Sequence, residues 1–431
     1  YAREPITVTS NVSQDETARL DLFSLAATED VVAIEDLPHG AADLDKTALN
    51  LDIARSVKRA PFWVLKQRAG AGAPGAERRQ YLPGQLRLWA FQAAAHGAEL
   101  LNFYRWRATP FGQEMACHGL LAPDGTETRG FAELRDTLLE MGRYGAAWKG
   151  RLPDARVALV LDYHALWALD LGRDTSTGLG VEANIAQIHG ILRAAGQPVD
   201  VLDPRQNLAE YDAVIAPVAL ISRDQVARQW SDYVEQGGVL LATGPVGLRT
   251  EYNTASLPLP PGHFRQVFGA TMTEYDVVGS AGDGDSEIVY DGDSYPGSAF
   301  RGLLKPDDAE PLATWRDALY DGEPCLTVRR QGDGSAWLFA GHSGASFYRV
   351  LLDRVLEEAG LERSPWASEI VEVIPLQTSE NQRPLTFVLN HGAEEIELEL
   401  PRGEKRTDVL SGVVHSRIIP LPGFGILLLQ G

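Results

Sequence analysis

Pro61-Phe62-Trp63-Val64-Leu65-Lys66-Gln67-Arg68-Ala69-Gly70 is a short apolar run that ends in charge. Phe62 to Leu65 is apolar at every position, as a strand covered on both faces should be, and such strands belong to parallel sheets. Helical patterns flank it, Leu44 to Val57 before and Gly84 to Ala95 and Phe131 to Tyr144 after. Pro83 stands just ahead of the second, where a helix start tolerates a missing N–H. Further strand-like runs are Ile6 to Thr9, Val31 to Ile34 and Leu100 to Tyr104. Four strand–helix units over residues 1–150 predict a parallel sheet. They amount to half of a (β/α)8 barrel, which typically takes ~250 residues. On that reading Lys66 falls at the carboxyl end of its strand, where barrels of this kind carry their chemistry.

Past the linker Gly145 to Asp154 the pattern changes. Ala155 to Leu161, Val199 to Leu202, Ala213 to Val218 and Val239 to Thr243 read as strands. Val181 to Ala195 and Asp224 to Glu235 read as helices, the latter stopped by Gly237-Gly238. Residues 151–365 are thus expected to form an open, doubly wound α/β domain. Its middle, Tyr275 to Pro306, reads as acidic and loop-rich, and Cys325 to Leu338 as a β pair. The last section, residues 366–431, has short runs at Leu385 to Leu389, Ile396 to Leu400, Val409-Leu410 and Gly425 to Leu429. Turn residues separate them, which predicts a small antiparallel β-sandwich.

The chain has 431 residues, enough for two or three domains. Thirty-nine basic and 59 acidic side chains give a formal charge of −20. That balance argues against nucleic acid and anionic membranes as partners, since both select positive charge. No apolar run approaches the ~18 residues of a membrane span. Two cysteines, Cys117 and Cys325, are too few for a disulfide framework or a four-cysteine zinc site, and they point to a reducing cytoplasm. No cofactor or metal is expected. Tyr1 to Ser10 lacks the apolar core of a signal peptide. The missing initiator methionine points to processing or to a longer parent chain.

Several motifs follow the opening stretch in order. They are Pro83-Gly84-Gln85-Leu86-Arg87-Leu88-Trp89, then Ala95-His96-Gly97-Ala98, then Tyr104-Arg105-Trp106-Arg107. Phe111-Gly112-Gln113-Glu114 and His118-Gly119 come last. Together they resemble the second half of the catalytic barrel of glycoside hydrolase family 42, the β-galactosidases. Tyr211 to Pro217, Tyr233 to Gly238 and Arg249-Thr250-Glu251-Tyr252-Asn253 resemble parts of that family's second module. The resemblance implies a partial barrel, a flavodoxin-like or amidotransferase-like domain that mediates trimerisation, and a small β domain. It implies hydrolysis of terminal β-galactosides with retention of configuration, a galactoside-type carbohydrate as substrate, and a homotrimer.

A retaining glycosidase needs two carboxyl groups ~5–5.5 Å apart. The family's nucleophile glutamate corresponds to Lys66, whose charge is opposite. Its acid/base glutamate follows an asparagine, and no Asn-Glu pair occurs in this sequence, which places that residue ahead of Tyr1. The family's sugar-stacking tryptophan corresponds to Pro74. Glu114 and His118 match the family's sugar-hydroxyl contacts. Arg105, Trp106 and Arg107 match its barrel-floor motif, with Arg107 as a candidate substrate contact. Glu35-Asp36 ends a strand at the same rim, and Asp36 is a candidate contact there. A bland alternative has Glu114 and His118 as loop polar groups paired to Arg107. Cys117 is expected to be a small buried residue.

Other chemistries find little support. An amidotransferase needs a cysteine on a strand-to-helix elbow, and Ala219-Leu220-Ile221 follows its strand without a thiol. Gly341-His342-Ser343-Gly344-Ala345 reads as a simple turn, and Gly279 to Gly284 lacks the features of a phosphate loop. The expected function is therefore that of a β-galactosidase-type glycoside hydrolase, inactive as this chain alone. The alternatives are a non-catalytic trimeric scaffold or weak sugar binder, and a rearranged enzyme using Glu35 or Asp36.

Overall fold

The structure, a computed structural model, describes residues 7–13, 20–40, 43–72, 80–171, 181–277, 286–379 and 382–431. Pro74, Ile6 and Gly279 to Gly284, named above, lie outside them. Two compact units emerge. One takes in residues 1–154, 193–198 and 363–431, the other residues 155–192 and 199–362.

The first unit begins with β1 (Asn11–Val12), α1 (Leu22–Ala26), β2 (Ala33–Asp36), α2 (Leu44–Lys58), β3 (Phe62–Arg68), α3 (Gln85–Ala95), β4 (Ala98–Tyr104) and α4 (Arg129–Tyr144). The strands form one sheet in the order β1-β2-β3-β4, parallel throughout. The first strand lies at Asn11–Val12, later than Ile6 to Thr9, because Ala33 and Ile34 pair with it there. β2 likewise runs on through Glu35-Asp36, which pair with Lys66 and Gln67. Pairing, not apolar content, sets both limits. α3 is buried on nearly every side. Its first turn is capped from α4. The Glu133 carboxylate accepts from the N–H groups of Gly84 and Leu86 at 3.1 Å each, where a helix start favours negative charge.

The second unit is built on β5 (Val157–Val160), β6 (Val199–Leu202), β7 (Ala213–Ala216) and β8 (Val239–Thr243), parallel in the order β8-β7-β5-β6. Helices α5 (Tyr163–Leu171), α6 (Val181–Ala194), α7 (Asp224–Glu235) and α8 (Arg265–Phe268) accompany them. The sheet continues through β9 (Ala270–Val277), β10 (Glu287–Tyr290), β11 (Asp293–Pro306), β12 (Glu310–Arg316), β13 (Pro324–Gln331), β14 (Gly334–Phe339) and β15 (Gly341–Ser343), followed by α9 (Ala345–Glu358). The stretch expected to be loop-rich, Tyr275 to Pro306, is thus largely strand. Asp291 and Gly292 take φ of 50° and 86°, and Tyr290 pairs with Asp293, so two residues turn the β10–β11 hairpin. Asp-Gly is the preferred sequence for that turn, a signal masked by the acidity around it. Gly341 to Ser343 is a strand rather than a turn, with Ser343 Oγ donating to the Pro296 carbonyl at 2.6 Å.

The chain then returns to the first unit as β16 (Val371–Leu376), β17 (Leu385–Asn390), β18 (Ile396–Glu399), β19 (Arg406–Asp408), β20 (Val414–His415), β21 (Ile418–Leu421) and β22 (Ile426–Gln430). They make antiparallel sheets β16-β17-β22-β19-β20 and β18-β21, which share a core through Val388, Leu398, Ile419 and Leu427. Residues 366–431 do not stand apart from the parallel sheet. Leu88 and Phe91 of α3 pack with Trp148, Ile374, Phe387 and Leu428 in one cluster.

A buried charge network closes the same joint. His96, just past α3, faces Asp52 of α2 from Nδ1 at 2.7 Å and Glu372 of β16 from Nε2 at 3.1 Å. Glu372 also accepts from Gln92 at 3.0 Å and His391 at 3.1 Å. All of these residues are almost fully buried. With a carboxylate on each side, both ring nitrogens of His96 donate, so the ring is an imidazolium. Burial alone would lower its pKa, but Asp52 and Glu372 outweigh burial and push it up to about 9. Burial likewise works against a charged Glu372, yet His96 and His391 hold its carboxyl well below the usual range.

The raised histidine contributes stability that is complete below its unfolded value of 6.5 and disappears as pH rises through about 9. The depressed Glu372 contributes stability present above 4.5 and lost as pH falls. Calorimetric melting from pH 5 to pH 10 should therefore show the joint weakening on the alkaline side. His96→Gln should lower stability by about 3–5 kcal/mol at neutral pH, the usual cost of breaking a buried pair, and should flatten the alkaline decline. An alkaline decline as steep in His96→Gln as in the unaltered protein would rule out His96 as its source.

Candidate functional site

The site grows from the carboxyl ends of β2, β3 and β4. Register there is irregular. Ile34 pairs with Val64, but the next residue, Glu35, pairs with Lys66, so β3 carries an extra residue at Leu65. A bulge of this kind re-aims the side chains that follow it. It sets Lys66 opposite Glu35, with Nζ 3.2 and 3.3 Å from the two carboxylate oxygens. Glu35 also accepts from Asn11 Nδ2 at 3.0 Å. The Lys66 ammonium lies 4.7 Å from the centre of the Tyr104 ring, within cation–π range. Lys66 and Glu35 both remain partly exposed.

One residue further along, the arrangement is different. Gln67 Nε2 donates to Asp36 Oδ2 at 2.8 Å, and both side chains are buried. Asp36 is therefore joined to Gln67, not to Lys66. Arg68 is buried too. It donates to the carbonyls of Gly70 at 2.9 Å and Pro38 at 2.6 Å, and burial lowers its pKa.

After β4 the chain folds back over the strand ends. Tyr104 donates its hydroxyl to Glu114 Oε2 at 2.7 Å, and Arg105 binds both the Glu114 carboxylate and the Tyr104 hydroxyl. Glu114 thus pairs with Arg105, and the expected alternative pairing to Arg107 is not formed. Arg107 is exposed and its charge is felt by Asp124. Cys117 is fully buried, as expected.

His118 holds the left-handed backbone region at φ 57° with its ring buried. Its N–H donates to the Ala71 carbonyl at 2.9 Å, and its carbonyl accepts from Arg105 N at 2.6 Å. The ring packs against Tyr104 at 5.8 Å. Burial, then Arg68, Lys66, Arg105 and His39, lower the His118 pKa to about 4, so the ring is neutral at pH 7. Gly119 lets this turn approach closely. A Cβ there would lie 2.3 Å from Ala108 N and from the Leu121 carbonyl oxygen.

The structure therefore gathers Lys66, Glu114 and His118 around Tyr104, holds Asp36 on Gln67, and leaves Arg107 exposed. Sequence reasoning missed Tyr104 and Arg68 as members and Glu35 as the partner of Lys66. Tyr104 carried one readable signal, its position as the last residue of its strand. Among the described residues no group of three or more His, Cys, Asp or Glu side chains could hold a metal ion.

The backbone constraint can be checked by urea unfolding. Gly119→Ala should destabilise the protein by about 1–3 kcal/mol through overpacking. Gly142→Ala, in exposed helix with nothing within 4 Å of the new Cβ, should stabilise it by about 0.5–1 kcal/mol. Equal effects of the two changes would show that the turn at Gly119 is not tightly packed.

A family model described as "Beta-galactosidase" matches residues 2–144, and one described as "Beta-galactosidase trimerisation domain" matches residues 155–362. β-Galactosidase BgaH of Haloferax lucentense is 29% identical over 398 residues, 89% of this chain and 58% of that protein. β-Galactosidase Bga of Halorubrum lacusprofundi is 31% identical over 343 residues, 75% of this chain and 48% of that protein. The crystal structure of a β-galactosidase from Bacillus circulans sp. alkalophilus superposes with a TM-score of 0.92 at 27% identity. That match covers 99% of this chain and 63% of the other. The chain therefore spans less than two thirds of the length of each of these relatives. With the two modules in the same order and the fold shared along almost its whole length, the chain belongs to glycoside hydrolase family 42, the β-galactosidase family.

Proposed function

We propose that this chain is a glycosidase by descent whose sugar site still binds a galactoside-type carbohydrate, terminal non-reducing β-D-galactosides being the substrate class, but does not cleave it unaided. On this reading residues 1–150 form the second half of a (β/α)8 barrel, 151–365 a flavodoxin-like trimerisation domain and 366–431 a terminal β-sandwich. The all-parallel sheet β1-β2-β3-β4 and the two family models support the first two parts of that division, and residues 366–431 pack with the first in one compact unit. The chain acts as a homotrimer in the cytoplasm. Among the described residues no helix is long and apolar enough to cross a membrane.

The observation that carries the proposal is the Lys66–Glu35 ion pair at the carboxyl end of β3. Lys66 occupies the nucleophile position. A protonated amine has no lone pair for the anomeric carbon, and its charge opposes the positive charge that grows on the sugar ring. Glu35 is the nearest carboxylate, but Lys66 and Asn11 already hold it. Glu114 and His118 remain beside Tyr104 as sugar-hydroxyl contacts. The same ion pair favours the second reading, a non-catalytic trimeric carbohydrate-binding homologue.

Hydrolysis of p-nitrophenyl β-D-galactoside by the protein from its complete gene tests this directly. The unaltered protein should release no nitrophenol above background. Lys66→Glu should raise the rate by about 10² or more, the scale of a restored catalytic carboxyl. Turnover by the unaltered protein at roughly 1 s⁻¹ or faster, within the ordinary enzyme range, would overturn the proposal.

A further inference from the structure

Tyr104 is ringed by nitrogen. Lys66 Nζ lies 4.7 Å and Arg105 Cζ 4.4 Å from the centre of its ring, and the His118 ring is 5.8 Å away. Arg68, two residues beyond Lys66, holds His39 Nδ1 at 3.3 Å. His118 senses the combined field. After burial, the groups that keep its ring neutral are Arg68, Lys66, Arg105 and His39, all acting in one direction. Three carboxylates stand close by, and each is already held, Asp36 by Gln67. Glu35 is bound to Lys66 and Asn11, and Glu114 to Arg105 and Tyr104.

Hydrogen bonding is unbalanced in the same sense. Arg105 Nε, which can only donate, and His118 Nδ1 are buried without a partner among the described residues. The two hydrogen bonds Lys66 makes there both go to Glu35, which leaves it an N–H to give. A buried donor without an acceptor is rare in folded proteins, and Arg105 Nε together with the partly exposed Lys66 ammonium offers N–H groups to an acceptor from outside. The cluster is reachable, since the Lys66 side chain is 22% exposed and that of Glu114 is 41% exposed.

We infer that the site around Lys66 and Tyr104 takes an acidic sugar, a hexuronate whose carboxylate is bound by Lys66, in preference to a neutral hexose. This rests on the sugar-site reading proposed above. A neutral sugar offers the ammonium only hydroxyl dipoles, whereas a carboxylate adds the attraction of a full opposite charge to the hydrogen bond. A singly charged group suits a site in which Glu35 and Glu114 stay in place. A phosphate dianion would meet their repulsion.

Calorimetric titration of the full protein with galacturonate, galactose and acetate tests the inference. Galacturonate should bind about tenfold or more tightly than galactose, the scale of a hydrogen bond to a charged group. Raising salt from about 50 to about 500 mM should weaken galacturonate and leave galactose unchanged, a readout that needs no variant. Lys66→Met should reduce the preference below about twofold, and Lys66→Arg should keep it. Equal affinity for the two sugars would overturn the acidic-sugar inference and leave the sugar site standing. Acetate binding as tightly as galacturonate would show a bare anion site and overturn it as well. Binding of neither sugar would sink both this inference and the sugar-site reading.

Discussion

The first unit depends on one buried imidazolium. His96 stands where α3 ends, held between Asp52 of α2 and Glu372 of β16. Each carboxylate would be costly to bury alone; His96 serves both, with Arg55 beside Asp52 and His391 beside Glu372. Removing His96 leaves Asp52 to Arg55 and Glu372 to His391, each with one partner fewer where little water reaches. The apolar cluster around Phe91, Trp148 and Phe387 packs next to it along α3 and supplies the attraction. Apolar packing is indifferent to small rotations, whereas the network is not. Two ring nitrogens with two fixed acceptors specify one orientation.

That joint matters for the site because α3 connects β3 to β4. Lys66 lies near the end of β3 and Tyr104 at the end of β4. α3 is anchored at its start by Glu133 and just beyond its end by His96. The strand ends are thus held on both sides of the connection, and the turn carrying His118 closes over them at Gly119. A site whose residues come from separate strands needs this kind of support to keep its distances.

Within the site, the deciding fact is the sign of one charge. At a strand end of this fold, an anion would draw positive character onto a bound sugar ring. An ammonium there repels it. The protein neutralises Lys66 with Glu35, which ties up the carboxylate nearest to that position. Binding and cleavage thus come apart physically. On the proposed reading, aromatic and hydroxyl contacts to a sugar do not depend on that sign, whereas stabilisation of a cationic transition state does.

Much of the fold was legible in the chain. Parallel strands betray themselves by continuous apolar runs such as Phe62 to Leu65, and helices such as α2 and α7 by their period and stops. Lys66, Glu114 and His118 could be named through the family resemblance of their motifs, and the fold brings all three to Tyr104. The rest required tertiary contacts. The β10–β11 hairpin hid because its acidic faces look like loop, although Asp291-Gly292 marked the turn. The Glu35–Lys66 pairing depends on a bulge at Leu65 that no local pattern announces. Glu114 meets Arg105 rather than Arg107 because the chain reverses between them, and one turn of backbone decides which guanidinium faces inward. His96 reads as part of a short motif, yet its charge state is set by Glu372, distant in sequence. Local sequence determines what each segment can become, since periodicity and turn chemistry act over a few residues. Which charges neutralise which is a matter of distances in space, and only the folded chain decides those.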